Sequence, residues 1–173
     1  MQPLSPAPIH VPVSLLEKTP AILELLLRDL STPVLEWKPA ADRWSISEVL
    51  GHLVTIEQLY EQRARRIMLE DSPALSKYVP PAESEVQKKS ARQYLDEFVP
   101  MRRAFAFYLH SVPAAAAGRV GQHAELGAVS LSQLLHELAN HDLGHFRQIA
   151  ELYRAHSFYP CAGPFQKYSS PLP

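Results

Sequence analysis

The placement of sixteen prolines, against only six glycines, constrains this chain more than any other feature of its sequence. Proline lacks a backbone N–H and has a locked φ, so it either forbids regular structure or punctuates it. Pro3, Pro6, Pro8 and Pro12 crowd one end, and Pro160, Pro164, Pro171 and Pro173 the other. Pro33, Pro39, Pro73, Pro80, Pro81 and Pro113 fall between apolar-periodic segments; only Pro20 and Pro100 interrupt a helical pattern. The segments so bounded are rich in Leu, Ala, Glu, Gln and Arg and poor in alternating β-branched runs, which favours helix. Four helices are predicted, over 14–30, 46–70, 84–111 and 131–156. The fold class is therefore all-α: a four-helix bundle over 14–156, with a Pro-rich extension at 1–13 and a Pro-rich tail at 157–173.

At 173 residues, the length prior gives one domain with a sizeable core. Seventeen basic residues against eighteen acidic ones leave a formal charge of −1. That balance offers no footprint for nucleic acid or an anionic membrane, and no apolar run is long enough to span a bilayer. Cys161 stands alone, and no charged n-region followed by an apolar stretch opens the chain, so a cytoplasmic location and a small-molecule partner are expected.

Two helix starts are written plainly. Ser45 and Glu48 form a capping box, with Trp44 and Val49 placed as a hydrophobic staple; Ser130 and Gln133 repeat the pattern with Val129 and Leu134. The first helix has two candidate starts, Ser14 with Glu17 or Thr19 with Pro20. Pro100 is expected to kink the third helix.

At 100° per residue, Leu131, Leu134, Leu135, Leu138, Ile149, Leu152 and Tyr153 share one face of the fourth helix, and His141, Asp142 and His145 interrupt it. Buried polar groups need partners. His141 and His145 stand one turn apart, so both imidazoles can address one ion, and imidazole nitrogen suits zinc, nickel, copper or iron. His52 is the candidate third ligand, on the flank of the stripe formed by Ile46, Val49, Leu50, Leu53, Ile56 and Tyr60. Three histidines would leave a coordination position open for substrate. The competing reading is a set of core histidines bonded to carboxylates or to one another. His136 should face solvent or a partner, while His10, His110, His123 and His156 read as surface or loop residues, His123 in the Gly-flanked loop 121–127.

Glu57 and Asp142 also interrupt apolar faces. Each is a candidate general base or a carboxylate acceptor for a ligating imidazole, and the alternative is an internal ion pair with Arg102. Tyr60 and Arg102 are the candidate substrate-pocket residues. His141-Asp142-Leu143-Gly144-His145 differs from the zincin H-E-x-x-H motif in its shorter acid and lacks a glycine-spaced third histidine, and no other nucleophile template is present.

The segment Trp44 to Leu53 with Glu57 downstream, followed by Leu134 to Tyr153 with its His141-Asp142-x-x-His145, resembles the two signature helices of the DinB-like superfamily. This bacterial damage-inducible family is unrelated to the DNA polymerase of the same name. The resemblance covers about residues 14–156. It implies an up-down-down-up bundle, often a homodimer, with a divalent transition metal, zinc or nickel, held by His52, His141 and His145. It further implies an S-transferase or isomerase using a low-molecular-weight thiol cosubstrate, with a metal-dependent hydrolase or a non-catalytic stress-response domain as alternatives.

Overall fold

The computed structural model describes residues 7–79 and 89–170. The elements run α1 (His10–Leu27), α2 (Thr32–Glu36), α3 (Ile46–Leu69), β1 (Ala74–Leu75), α4 (Ala91–His110), β2 (Val120–His123), β3 (Gly127–Ser130) and α5 (Leu131–Tyr153). The four long helices make the bundle. α1 and α3 each pack against both α4 and α5, so α1 stands diagonal to α3 and α4 diagonal to α5. No helix among the described residues is long and apolar enough to cross a membrane.

Three capping boxes set the helix starts: Ser45 with Glu48 for α3, Ser90 with Gln93 for α4, and Ser130 with Gln133 for α5. In each, the Ser oxygen accepts from the N3 amide and the N3 side chain accepts from the cap amide, satisfying two backbone donors the helix leaves unpaired. The third helix accordingly begins at Ala91, after the Ser90 cap, and not at residue 84; residues 84–88 of the expected span lie outside the described residues. It runs through Pro100 to His110.

The first helix departs from both expected starts. It begins at His10, inside the stretch expected to be an extension, with no side-chain cap on Ile9. Pro12 is its third residue, where the missing N–H would have had no helical partner in any case. Ile9, Val13 and Leu16 are buried, and that burial carries the helix past the proline. The fourth helix ends at Tyr153 instead of 156, passing into a wider π-type turn over Arg154–Phe158 and then 3₁₀ turns over Tyr159–Cys161 and Gly163–Tyr168.

Neither α2 nor a small sheet has a counterpart in the sequence pattern. β1 pairs in parallel with β2 (Ala74↔Gln122, Leu75↔His123), and β2 in antiparallel with β3 (Val120↔Ser130), so the expected loop 121–127 is a hairpin. Gly127 turns it with φ +73°, a conformation glycine adopts without cost. The sheet ties the connection between α3 and α4 to the one that crosses the bundle from α4 to α5.

Two apolar cores fill the interior. One gathers Leu16, Ile56, Phe105, Leu135 and Leu138; the other gathers Leu23, Leu53, Phe98, Ile149 and Leu152. On each helix one polar residue lies at the level between them: Thr19 on α1, Glu57 on α3, Arg102 on α4 and Asp142 on α5, all at most 1% exposed. Gly51 lets Tyr94 of α4 lie flat on α3, since a Cβ there would meet the ring at 3.0 Å.

Candidate metal centre

The caps at Ser45 and Ser130 fix the phase of α3 and α5, and their packing brings His52 to the His141/His145 pair. His141 Nε2 lies 3.0 Å from His52 Nε2 and 3.2 Å from His145 Nε2. The three rings form the group of potential ligands among the described residues, and no carboxylate joins it. Nitrogens bound tetrahedrally at zinc distances would be about 3.4 Å apart, so the spacing suits one ion.

Proton positions point the same way. His145 Nδ1 donates to Gln148 Oε1 at 2.8 Å, which leaves its Nε2 as a lone pair aimed at His141. Burial, together with the neighbouring His145 and His141 rings, pushes His52 down to about 4; His145 is also lowered, by burial and His141 against the opposing Gln148 bond. Neutral imidazoles with converging lone pairs are what a divalent cation requires.

Behind the histidines lies a buried ion-pair network. Arg102 donates from Nε and Nη2 to Glu57 Oε2 at 2.9 and 2.6 Å, and from Nη1 to Asp142 Oδ2 at 2.5 Å. Thr19 Oγ1 accepts from Arg102 Nη1 at 3.2 Å and donates to Asp142 Oδ2 at 3.1 Å. One guanidinium thus faces two carboxylates. Burial raises Glu57 more than Arg102 lowers it; at Asp142, burial is outweighed by His141, Arg102 and Thr19, and its pKa is lowered. Two buried atoms next to the histidines have no hydrogen-bond partner among the described residues, His141 Nδ1 and Asp142 Oδ1, which stand 4.0 Å apart. These two idle atoms fit a cation on the far side of His141, because a carboxylate behind a ligating imidazole orients and polarises it.

The sequence-derived candidates therefore separate into two groups. His52, His141 and His145 come together. Glu57 and Asp142 are fully buried and turned toward Arg102, which is itself 1% exposed and lies in the polar layer rather than along an open wall. Tyr60 is half-buried, packed against the first apolar core with Arg63 5.4 Å from its ring. His136 is half-buried and bonds Ser132 O of its own helix at 2.8 Å; His10 and His110 are exposed; His156 packs edge-on against Trp37.

Three neighbours escaped the sequence reading. Trp44 does more than precede a cap: its ring lies 5.0 Å from His52 and stacks on His145 at 6.2 Å, 12° from parallel, while 41% exposed. Tyr78 meets His52 edge-on at 5.9 Å. Gln148 lies three residues after His145, a spacing that could have flagged it as a tautomer-fixing partner.

A bundle with diagonal sequence neighbours and a three-histidine cluster between two of its helices defines a class, and the family comparison agrees with it. The DinB superfamily model matches residues 15–149, and the chain belongs to that superfamily. Among solved structures it is similar to YfiT from Bacillus subtilis, described as a probable metal-dependent hydrolase with an unusual four-helix bundle topology. The two share 20% identity over 89% of this chain and 90% of that one, with a TM-score of 0.77. No curated protein sequence matches the chain.

Proposed function

We propose that this chain is a divalent-metal-dependent enzyme acting on small molecules, and that it transfers a low-molecular-weight thiol to an electrophilic substrate. The supporting observation is the convergence of three imidazole nitrogens, with no carboxylate oxygen among the converging atoms. A divalent ion held by His52, His141 and His145 supplies positive charge that lowers the pKa of a thiol bound beside it, making a nucleophile at neutral pH. The protein's own part is positioning. Gln148 fixes the His145 tautomer, Asp142 stands behind His141, and Arg102 with Thr19 keeps Asp142 ionised and immobile. Trp44 and Tyr78 flank the cluster with aromatic surface.

The likeness to the probable metal-dependent hydrolase YfiT favours a second reading, hydrolysis at the same site. That chemistry calls for a general base within reach of the nucleophile. Glu57 and Asp142 are 0% exposed and committed to Arg102, which weighs against either in that role and toward the thiol reading. Incubating the metal-loaded protein with a panel of low-molecular-weight thiols plus electrophilic acceptors, in parallel with ester and amide substrates, tests this. Thiol-dependent turnover is expected. Turnover of esters or amides without thiol would establish the hydrolase, and no turnover with either a non-catalytic stress-response domain.

A further inference from the structure

Arg63, on α3, is 7% exposed and faces no carboxylate among the described residues. Its Nη2 donates to the Ser76 carbonyl, its Cζ lies 5.4 Å from the Tyr60 ring, and its buried Nε has no partner among the described residues. A guanidinium this deeply covered ordinarily has a counter-ion, because removing an unpaired charge from water is costly.

A second observation concerns His123, at the end of β2. The Glu125 backbone N–H donates to His123 Nδ1 at 3.2 Å, so Nδ1 offers a lone pair and the proton of the neutral ring sits on Nε2. That Nε2 lies 3.5 Å from Arg63 Nη2. Both atoms are donors, and the contact between them is therefore not a hydrogen bond. Two N–H donors side by side, next to a guanidinium with no carboxylate among the described residues, are answered together by an acceptor that carries negative charge.

We propose that Arg63 and His123 form an anion subsite that binds the carboxylate of a small molecule, with the half-buried Tyr60 ring flanking it. A carboxylate suits the site better than phosphate because a single cation is on offer: Lys77, two residues beyond β1, is held by Glu125 at 2.5 Å, and Arg119, next to β2, by the Ile67 and Glu70 carbonyls at 2.7 and 2.8 Å. Its planar pair of oxygens can accept from Nη2 and from Nε2 of the imidazole at once. The subsite needs no ion at the histidine cluster, so it stands or falls apart from the proposed activity.

The test uses the full-length, metal-free protein labelled with ¹⁵N. Sodium acetate and sodium succinate are titrated at constant ionic strength made up with sodium chloride, following the side-chain Nε–H signal of Arg63 and binding heat by calorimetry. A saturable shift with the carboxylates and none with chloride alone is expected. Arg63→Gln should abolish saturable binding and His123→Leu should weaken it about tenfold, the loss of one charge-assisted hydrogen bond. If Arg63→Gln loses its helical circular dichroism, His123→Leu, on a half-buried strand end, carries the comparison. An unmoved or non-saturating Arg63 signal, binding unchanged in His123→Leu, or inorganic phosphate saturating at lower concentration than succinate would each overturn the carboxylate subsite.

Discussion

Arg102 Nη1 donates to Asp142 Oδ2 at 2.5 Å, and the same guanidinium holds Glu57 through two further bonds. This pairing sits between the two apolar cores and directly behind His141, so it belongs to the stability of the bundle and to the geometry of the site together. Removing Arg102 leaves two buried carboxylates without their cation. Arg102→Leu is expected to destabilise the protein by about 3–5 kcal/mol in urea unfolding, the usual cost of breaking a buried pair from one side. Adding Glu57→Gln to that variant should recover part of the loss, since one of the stranded charges is then gone. Equal stability of Arg102→Leu and wild type would mean that the network contributes nothing.

The start of α3 should be sensitive to acid. Burial tends to raise Glu48, but its bonds to Lys38 and to the Ser45 amide outweigh that and lower its pKa. A carboxylate whose folded pKa is depressed contributes stability above its unfolded value, about 4.3, and that contribution disappears as pH falls through the folded value. Wild type should therefore lose more stability than Glu48→Gln between pH 5 and pH 3. The difference is expected to stay under about 1 kcal/mol because the pair is partly exposed. Parallel denaturant titrations of the two proteins measure it.

Trp44 reports on the cluster. Its ring is 5.0 Å from His52, so nickel bound by the histidines should quench its fluorescence in proportion to occupancy. Titration of wild type with Ni²⁺ should show saturable quenching at one equivalent, and Trp44→Phe, which retains Trp37, should show little. Equal quenching in both proteins would place the ion elsewhere.

Gly51→Ala sets two effects against each other. Alanine gains about 1 kcal/mol in helix propensity, but its Cβ would stand 3.0 Å from the Tyr94 ring, and overpacking of this kind costs about 1–3 kcal/mol. Net destabilisation is expected, read as a lower thermal midpoint; a higher midpoint would show that Tyr94 can move aside freely.

What could be read in the sequence follows from the range over which each signal acts. The capping boxes at Ser45 and Ser130 are local and predicted the starts of α3 and α5, and with them the phase that aims His52, His141 and His145 at one point. The Ser90–Gln93 box is equally local, but it lies inside a proline-bounded segment whose helix-favouring composition extends back to 84 and masks the start. The start of α1 depended on burial of Ile9 and Val13 against other helices, which no local pattern announces, and Thr19, weighed as a cap, serves instead as a bridge between Arg102 and Asp142. Strands of two and four residues are too short for a period to show. Trp44 and Tyr78 reach the cluster from segments flanking α3, so their role appears only when the helices are packed.

Whether the three histidines share one ion is read from an anomalous difference map of crystals grown with one equivalent of zinc, collected on both sides of the zinc edge. A single strong peak is expected within bonding distance of Nε2 of His52, His141 and His145, absent from crystals of His141→Ala grown in the same way. A map with no peak at the cluster, or a peak that persists in His141→Ala with undiminished height, would contradict it.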